Sequence, residues 1–255
     1  MPHHLRDECI AECLGTFLLI FFGLGCVAAL KLAGISYGLW DICMIWGTGV
    51  ALAVYLSGGV SGGHINPSVT VALAVFGNFP ARKVLPYIGA QLLGAFLGAA
   101  VIYCLYSSLF EAKNLDTLGV FVTGPHPDIF LWQAFLAELT GTAILVALIL
   151  ALVDDNNGAP RGALAPLLIG AAVATIGAIV GPLSSFALNA ARDFGPRLFA
   201  WLAGWGNQAF AGGSTDIPYA LVPLTAPVIG GLLGAWVYTR LIGKGLRQRA
   251  AEANG

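Results

Sequence analysis

Charge is scarce in this 255-residue chain: Asp, Glu, Lys and Arg make up 10% of it, against about a quarter in soluble domains. Lys and Arg number 12 and Asp and Glu 13, so no basic excess exists to hold nucleic acid or an acidic partner. The five cysteines are Cys9, Cys13, Cys26, Cys43 and Cys104. None forms a CxxC pair, and an odd number in apolar surroundings argues against a disulfide framework. They read as small buried hydrophobes. A metal-ligand cluster, a nucleophile elbow and a phosphate-binding loop are missing too, so no catalytic residue, metal or cofactor is expected. The first apolar run also lacks a basic leader. Asp7, Glu8 and Glu12 stand there instead, and Ile10–Leu30 is too long for the core of a cleavable signal, so it reads as a membrane span.

Apolar residues, by contrast, reach 58%, and mean hydropathy is +0.82. Such a chain cannot cover itself with polar surface in water. Its 34 glycines fit helices packed closely through small residues in a lipid bilayer; Gly94/Gly98 and Gly230/Gly234 read as such pairs. A helix needs about 20 apolar residues to cross a hydrocarbon core of about 30 Å. Six stretches qualify: Ile10–Leu30, Trp40–Leu56, Val84–Leu109, Phe130–Val153, Leu164–Val180 and Ala220–Ile242. Polar or Gly/Pro-rich joints separate them, among them Asn78–Lys83, Glu111–Pro127 and Asp154–Gly162. Gly243–Gly255 reads as a polar, frayed tail.

Two apolar segments are too short to cross. Asn66–Phe76 and Asn189–Trp201 each open at an Asn, and about eleven helical residues reach only about 17 Å, half the membrane. The chain also repeats itself. Ala11-Glu12-Cys13-Leu14-Gly15-Thr16 returns as Ala137-Glu138-Leu139-Thr140-Gly141-Thr142, and Asn66 and Asn189 are spaced by nearly the same interval. Each half, roughly 8–110 and 128–243, reads as three spans with a half-span between the second and third. Three is odd, so the second half must enter from the opposite face as an inverted repeat. The expected fold is an all-α membrane protein with six transmembrane helices and two re-entrant half-helices, within one channel domain. Basic residues favour both termini, and the tail 244–255, on the cytoplasmic side: Arg6, Arg82, Lys83, Arg161, Arg240, Lys244, Arg247 and Arg249 fall inside, against Lys31, Lys113, Arg192 and Arg197 outside. Trp201 and Trp205 suit an interfacial belt.

Irregular backbone at membrane depth must lie inside protein or along a watery cavity. Gly62, Gly63, His64 and Ile65, and Ser185, Phe186, Ala187 and Leu188, lead into the half-helices, and their carbonyls are expected to line a pore opposite an apolar wall. Asn66 and Asn189 suit helix N-caps, with Pro67 welcome at the first helical position. Two helix N-termini converging on one point make it electropositive, which repels cations and passes neutral hydroxyls. Glu12 and Glu138, carboxylates inside spans, either relay protons or pin the re-entrant loops. His64 either bonds a loop or gates the vestibule, and Asp193 steadies an outer loop.

His64-Ile65-Asn66-Pro67-Ser68-Val69-Thr70 and Asn189-Ala190-Ala191-Arg192-Asp193 resemble the paired Asn-Pro-Ala boxes of the major intrinsic protein (aquaporin) family. Gly181-Pro182-Leu183, Phe194-Gly195-Pro196 and Phe199–Asn207 resemble its glycerol-facilitator branch. The resemblance covers nearly the whole chain. It implies a homotetramer with one pore per subunit, in a lipid bilayer such as a bacterial inner membrane, with glycerol and water as permeants. It places the narrow selectivity filter at Trp40, Gly177, Phe186 and Arg192. Arg192 would be a fixed cation and donor, Trp40 and Phe186 an aromatic corner, and Gly177 the space between them. Ser68 stands where that family has Ala, Ala190 where it has Pro, and Ser185 where the branch has Gly. The alternatives are a pore mainly for water, urea or neutral metalloid hydroxides, and a secondary transporter, which would need a coupling-ion site.

Overall fold

The computed structural model describes residues 4–158, 162–211 and 217–253. Arg161, one of the cytoplasmic cations above, and Asn254 and Gly255 of the tail lie outside them. The described helices are α1 (Leu5–Leu32), α2 (Leu39–Ser61), α3 (Pro67–Phe76), α4 (Val84–Leu105), α5 (Leu115–Leu118), α6 (Leu131–Val153), α7 (Ala165–Ser184), α8 (Ala190–Ala200), α9 (Gln208–Ala211), α10 (Leu221–Val237) and α11 (Gly243–Ala253). Among the described residues, six helices are long and apolar enough to cross a membrane; they contain α1, α2, α4, α6, α7 and α10. The short α3 and α8 follow the second member of each trio, at the positions of the two half-spans.

Several helices run further than hydropathy suggests. α2 continues past Leu56 to Ser61, where the Ser57 hydroxyl bonds back to the Ala53 carbonyl and the Ser61 hydroxyl donates to Glu12 of α1. It stops where Gly62 enters the left-handed region at φ 90°, which glycine adopts without a Cβ clash. α7 likewise passes Val180 and stops at Ser185, φ 61°. The expected frayed tail is helical instead: five-residue wide turns at Tyr238–Ile242 carry α10 into α11, whose Lys, Arg, Gln, Ala and Glu are good helix formers.

Close packing follows the small residues. Gly94 of α4 lies against the Cys13 carbonyl of α1, and Gly230 and Gly234 of α10 lie against the Leu139 and Ala143 carbonyls of α6. Gly47 of α2 and Gly170 of α7 meet backbone to backbone. These contacts bring α1 to α4, α6 to α10 and α2 to α7, and the space left in the middle holds the two half-helices.

The joint Glu111–Pro127, expected on the outer side, is more than a polar connection. Val120 and Phe121 are buried, and Phe121, Phe110, Tyr103, Phe199 and Trp205 form an aromatic cluster with centroids 5.1–6.4 Å apart. Trp205 is therefore core rather than an interfacial anchor, and its indole N–H donates to the Asn114 carbonyl at 3.2 Å. Trp201, in contrast, is exposed.

Candidate functional site

Asn66 and Asn189 cap α3 and α8 with their side chains. The Asn66 Oδ1 accepts the Ser68 N–H at 2.8 Å, and the Asn189 Oδ1 accepts the Ala191 and Arg192 N–H groups at 3.0 and 3.1 Å. Each cap also reaches across to the other half. Asn66 Nδ2 donates to the Leu188 carbonyl and Asn189 Nδ2 to the Ile65 carbonyl, both at 2.8 Å. The two helix tips are thus laced together, and both Asn side chains keep a second N–H donor.

The approaches to these caps are strained: Ile65 (φ 44°), Phe186 (φ 38°) and Leu188 (φ 53°) are left-handed, as are Gly62 and Gly63. Two buried carboxylates hold them. Glu12 accepts from the His64 and Ile65 N–H groups at 2.9 and 2.6 Å, from the Ser61 hydroxyl at 2.6 Å and from the Gln91 amide at 2.7 Å. Glu138 accepts from the Ala187 and Leu188 N–H groups, both at 2.7 Å, and from the Ser184 hydroxyl at 2.6 Å. All these partners are donors, so both oxygens of each carboxylate act as acceptors. With the N–H groups drawn toward the carboxylates, the loop carbonyls are free to face the other way. His64 is buried as well, with Nδ1 3.1 Å from Thr70 Oγ1 and its ring 4.7 and 5.1 Å from those of Phe79 and Tyr87.

On that other side lies a cavity of about 520 Å³. Gly62, Gly63, His64 and Ile65, then Phe186, Ala187 and Leu188, line it together with Val50, Val54, Leu145, Ile149, Ile169 and Val173; Ser185, expected among the lining carbonyls, is not on the lining. Asn66 and Asn189 lie on its lining, Asp155 and Gly162 mark one end, and Trp46, Phe186 and Arg192 the other.

At the Arg192 end the structure corrects one expected residue. Trp40 is 55% exposed at the start of α2 and is not on the lining. Trp46 takes the place expected of it. The Arg192 guanidinium carbon sits 4.1 Å above the Trp46 ring, and the Phe186 ring meets Trp46 edge-on at 6.2 Å. Trp46 is six residues further along the helix, about 9 Å deeper. A depth count from Asn189 would have favoured it, since Arg192 lies less than one turn from that cap. Gly177 and Gly181 do not touch the cavity directly. A Cβ at either would lie 2.9–3.0 Å from the Phe186 ring, so their bareness seats that ring. Arg192 is buried, and its Nε has no partner among the described residues.

Neighbouring Asp193 and Arg197 hold this end together. Arg197, expected to be an outer-face cation, is fully buried. It pairs with Asp193 and donates to the Ala209 and Thr123 carbonyls at 2.5 and 2.6 Å. Its polar character gives no sequence signal of burial; the i, i+4 spacing from Asp193 is the clue that was available.

The two departures in the Asn boxes point away from the cavity. Ser68 is fully buried beside Gly231 of α10, and its hydroxyl has no partner among the described residues. Removing an unsatisfied buried hydroxyl relieves a penalty of about 1–3 kcal/mol. Ser68→Ala is therefore expected to leave solute flux unchanged and to raise thermal stability in detergent; a flux change would show that the hydroxyl reaches the pore. Ala190 is also buried off the lining.

A profile of the family described as major intrinsic protein matches residues 3–238. The glycerol uptake facilitator protein of Escherichia coli (strain K12) is 57% identical over 254 residues, spanning 95% of this chain and 90% of that protein. The propanediol uptake facilitator of Salmonella typhimurium is 55% identical over 258 residues, spanning 96% and 97%. The X-ray structure of the aquaglyceroporin from Plasmodium falciparum superposes with a TM-score of 0.88 at 33% identity, covering 96% of this chain and all of that one. Six membrane-length helices, two half-helices laced at their Asn caps and these whole-length matches agree: the chain belongs to the major intrinsic protein family.

Proposed function

We propose that the protein is a passive channel for glycerol and related small neutral solutes, with some water permeability, closed to protons and ions. The observation that carries this reading is the mixed lining of the cavity, the loop residues 62–65 and 186–188 together with branched aliphatic side chains; the His64, Ile65, Ala187 and Leu188 N–H groups are taken by Glu12 and Glu138, which leaves the loop carbonyls for a solute. A polyol has hydroxyls on one edge and CH groups on the other, so it slides along such a wall without losing its hydrogen bonds. Trp46 and Phe186 form the corner for the carbon chain, and Arg192 is the fixed cation and hydroxyl donor. Asn66 and Asn189 donate at the central waist, where two helix N-termini disfavour a cation. Glu12 and Glu138 anchor the loops, a role supported by the four and three donors that they accept. The protein resides in the bilayer of a bacterial inner membrane as a homotetramer, with both termini and the tail from residue 244 cytoplasmic. Its inverted repeats, about 8–110 and 128–243, make one channel domain without catalytic residues.

Purified protein in liposomes tests this by stopped-flow light scattering without any ion gradient. Glycerol should equilibrate at least tenfold faster than in protein-free vesicles. Trp46→Ala should change the glycerol-to-water permeability ratio severalfold, whereas Trp40→Ala should not. Glycerol flux equal to that of empty vesicles rejects the channel, and an effect confined to Trp40→Ala rejects the assignment of Trp46.

A further inference from the structure

The segment Thr123–His126, in the joint between α5 and α6, is bonded to both sides of the outer constriction. On the Phe186 side, the His126 N–H donates to the Leu183 carbonyl at 2.9 Å. There the Ser185 hydroxyl also donates to the Gly124 carbonyl at 2.9 Å, and the Gly124 N–H returns to Ser185 Oγ at 3.4 Å. On the Arg192 side, the Thr123 N–H and hydroxyl donate to Asp193 Oδ1 at 2.9 and 2.6 Å, and Arg197 Nη2 donates to the Thr123 carbonyl at 2.6 Å. Ser185 immediately precedes Phe186 and Asp193 immediately follows Arg192, so the segment straps together two of the three residues that bound this end of the cavity.

Ser185 is the unusual member of this arrangement. Its backbone is left-handed (φ 61°, ψ 23°), where glycine would sit without strain. A serine is held there against that preference, and its side chain is half-buried and engaged with Gly124 in both directions. The other tie on the Phe186 side, His126 to Leu183, is backbone to backbone, so the Ser185 hydroxyl supplies the side-chain grip on that half of the strap.

We propose that Ser185 is a positioning residue of the outer constriction: its bond to Gly124 fixes the Phe186 wall relative to Arg192 and so limits the width of solute that passes. This rests on the channel reading above. Without the hydroxyl, the left-handed turn carrying Phe186 keeps the His126–Leu183 backbone bond but loses its side-chain tie to the segment that holds Asp193, and the gap widens.

The test compares Ser185→Ala, which keeps the Cβ and the backbone preference, with Ser185→Gly, which removes both. Flux of glycerol and of the five-carbon polyol xylitol is measured in proteoliposomes and expressed as a ratio, because loss of folded protein lowers both alike. The xylitol-to-glycerol ratio should rise at least threefold in both variants, and amide exchange at Gly124 should quicken about tenfold. A ratio at or below wild type overturns the proposal, as does a rise confined to Ser185→Gly in two well-folded variants, which would assign the effect to backbone freedom. Should Ser185→Ala not fold, the ratio and the Gly124 exchange in Ser185→Gly decide together: both must rise. Wild-type protein without glycerol flux would instead remove the channel reading itself.

Discussion

Glu138→Ala should abolish the folded channel. The carboxylate is fully buried and satisfies three donors at once: the Ser184 hydroxyl and the Ala187 and Leu188 N–H groups. Each orphaned donor costs about 1–3 kcal/mol, so the three together rival the whole stability of a typical domain, about 5–15 kcal/mol. The left-handed Phe186 and Leu188 would lose the contacts that hold them, and with Leu188 the acceptor of the Asn66 amide would shift. Size-exclusion profiles in detergent and thermal unfolding measure the effect, with glycerol flux as the functional readout. Glu138→Gln keeps the shape but turns one acceptor into a donor facing a donor, and should fall between alanine and wild type. Wild-type yield and flux in the alanine variant would show that the loop is held by something else.

Arg192→Ala should fold yet lose solute discrimination. Its backbone N–H is capped by Asn189, and alanine is a good helix former, so α8 keeps its start. The guanidinium lies over Trp46, and its Nε has no partner among the described residues. A hydrogen bond to a charged group is worth about 1.5–3 kcal/mol, and about 1.4 kcal/mol is a tenfold change. The preference for glycerol over xylitol should therefore drop roughly tenfold. Removing the fixed cation should also let protons leak, readable with a pH-sensitive dye trapped in the vesicles. An unchanged ranking of solutes in well-folded protein would move the filter elsewhere.

The outcome for individual residues follows the range of the forces involved. Hydropathy marked the six spans because the need for about 20 apolar residues is local to each helix. It fell short at Ser57–Ser61 and at Gly181–Ser184, where the Ser61 and Ser184 hydroxyls donate to the buried Glu12 and Glu138 and tie the helix ends past their apolar windows. The family resemblance was carried onto Trp40, while Trp46, the aromatic that stands beside Arg192, was hidden among other apolar residues of α2. Arg197 carried a charge that sequence alone assigns to the surface, and only Asp193, Thr123 and Ala209 brought together make its burial tolerable.

The chain by itself determined its solvent, its helices and the two Asn-capped half-spans, since hydropathy, cap chemistry and the parity of three spans act over a few residues or by simple counting. Only the tertiary structure decided which aromatic stands beside Arg192, which way Ser68 faces, and what the outer joint holds. Those depend on the depth and rotation of each helix against its neighbours, set by close contacts such as Gly47 on Gly170 between residues far apart in the chain.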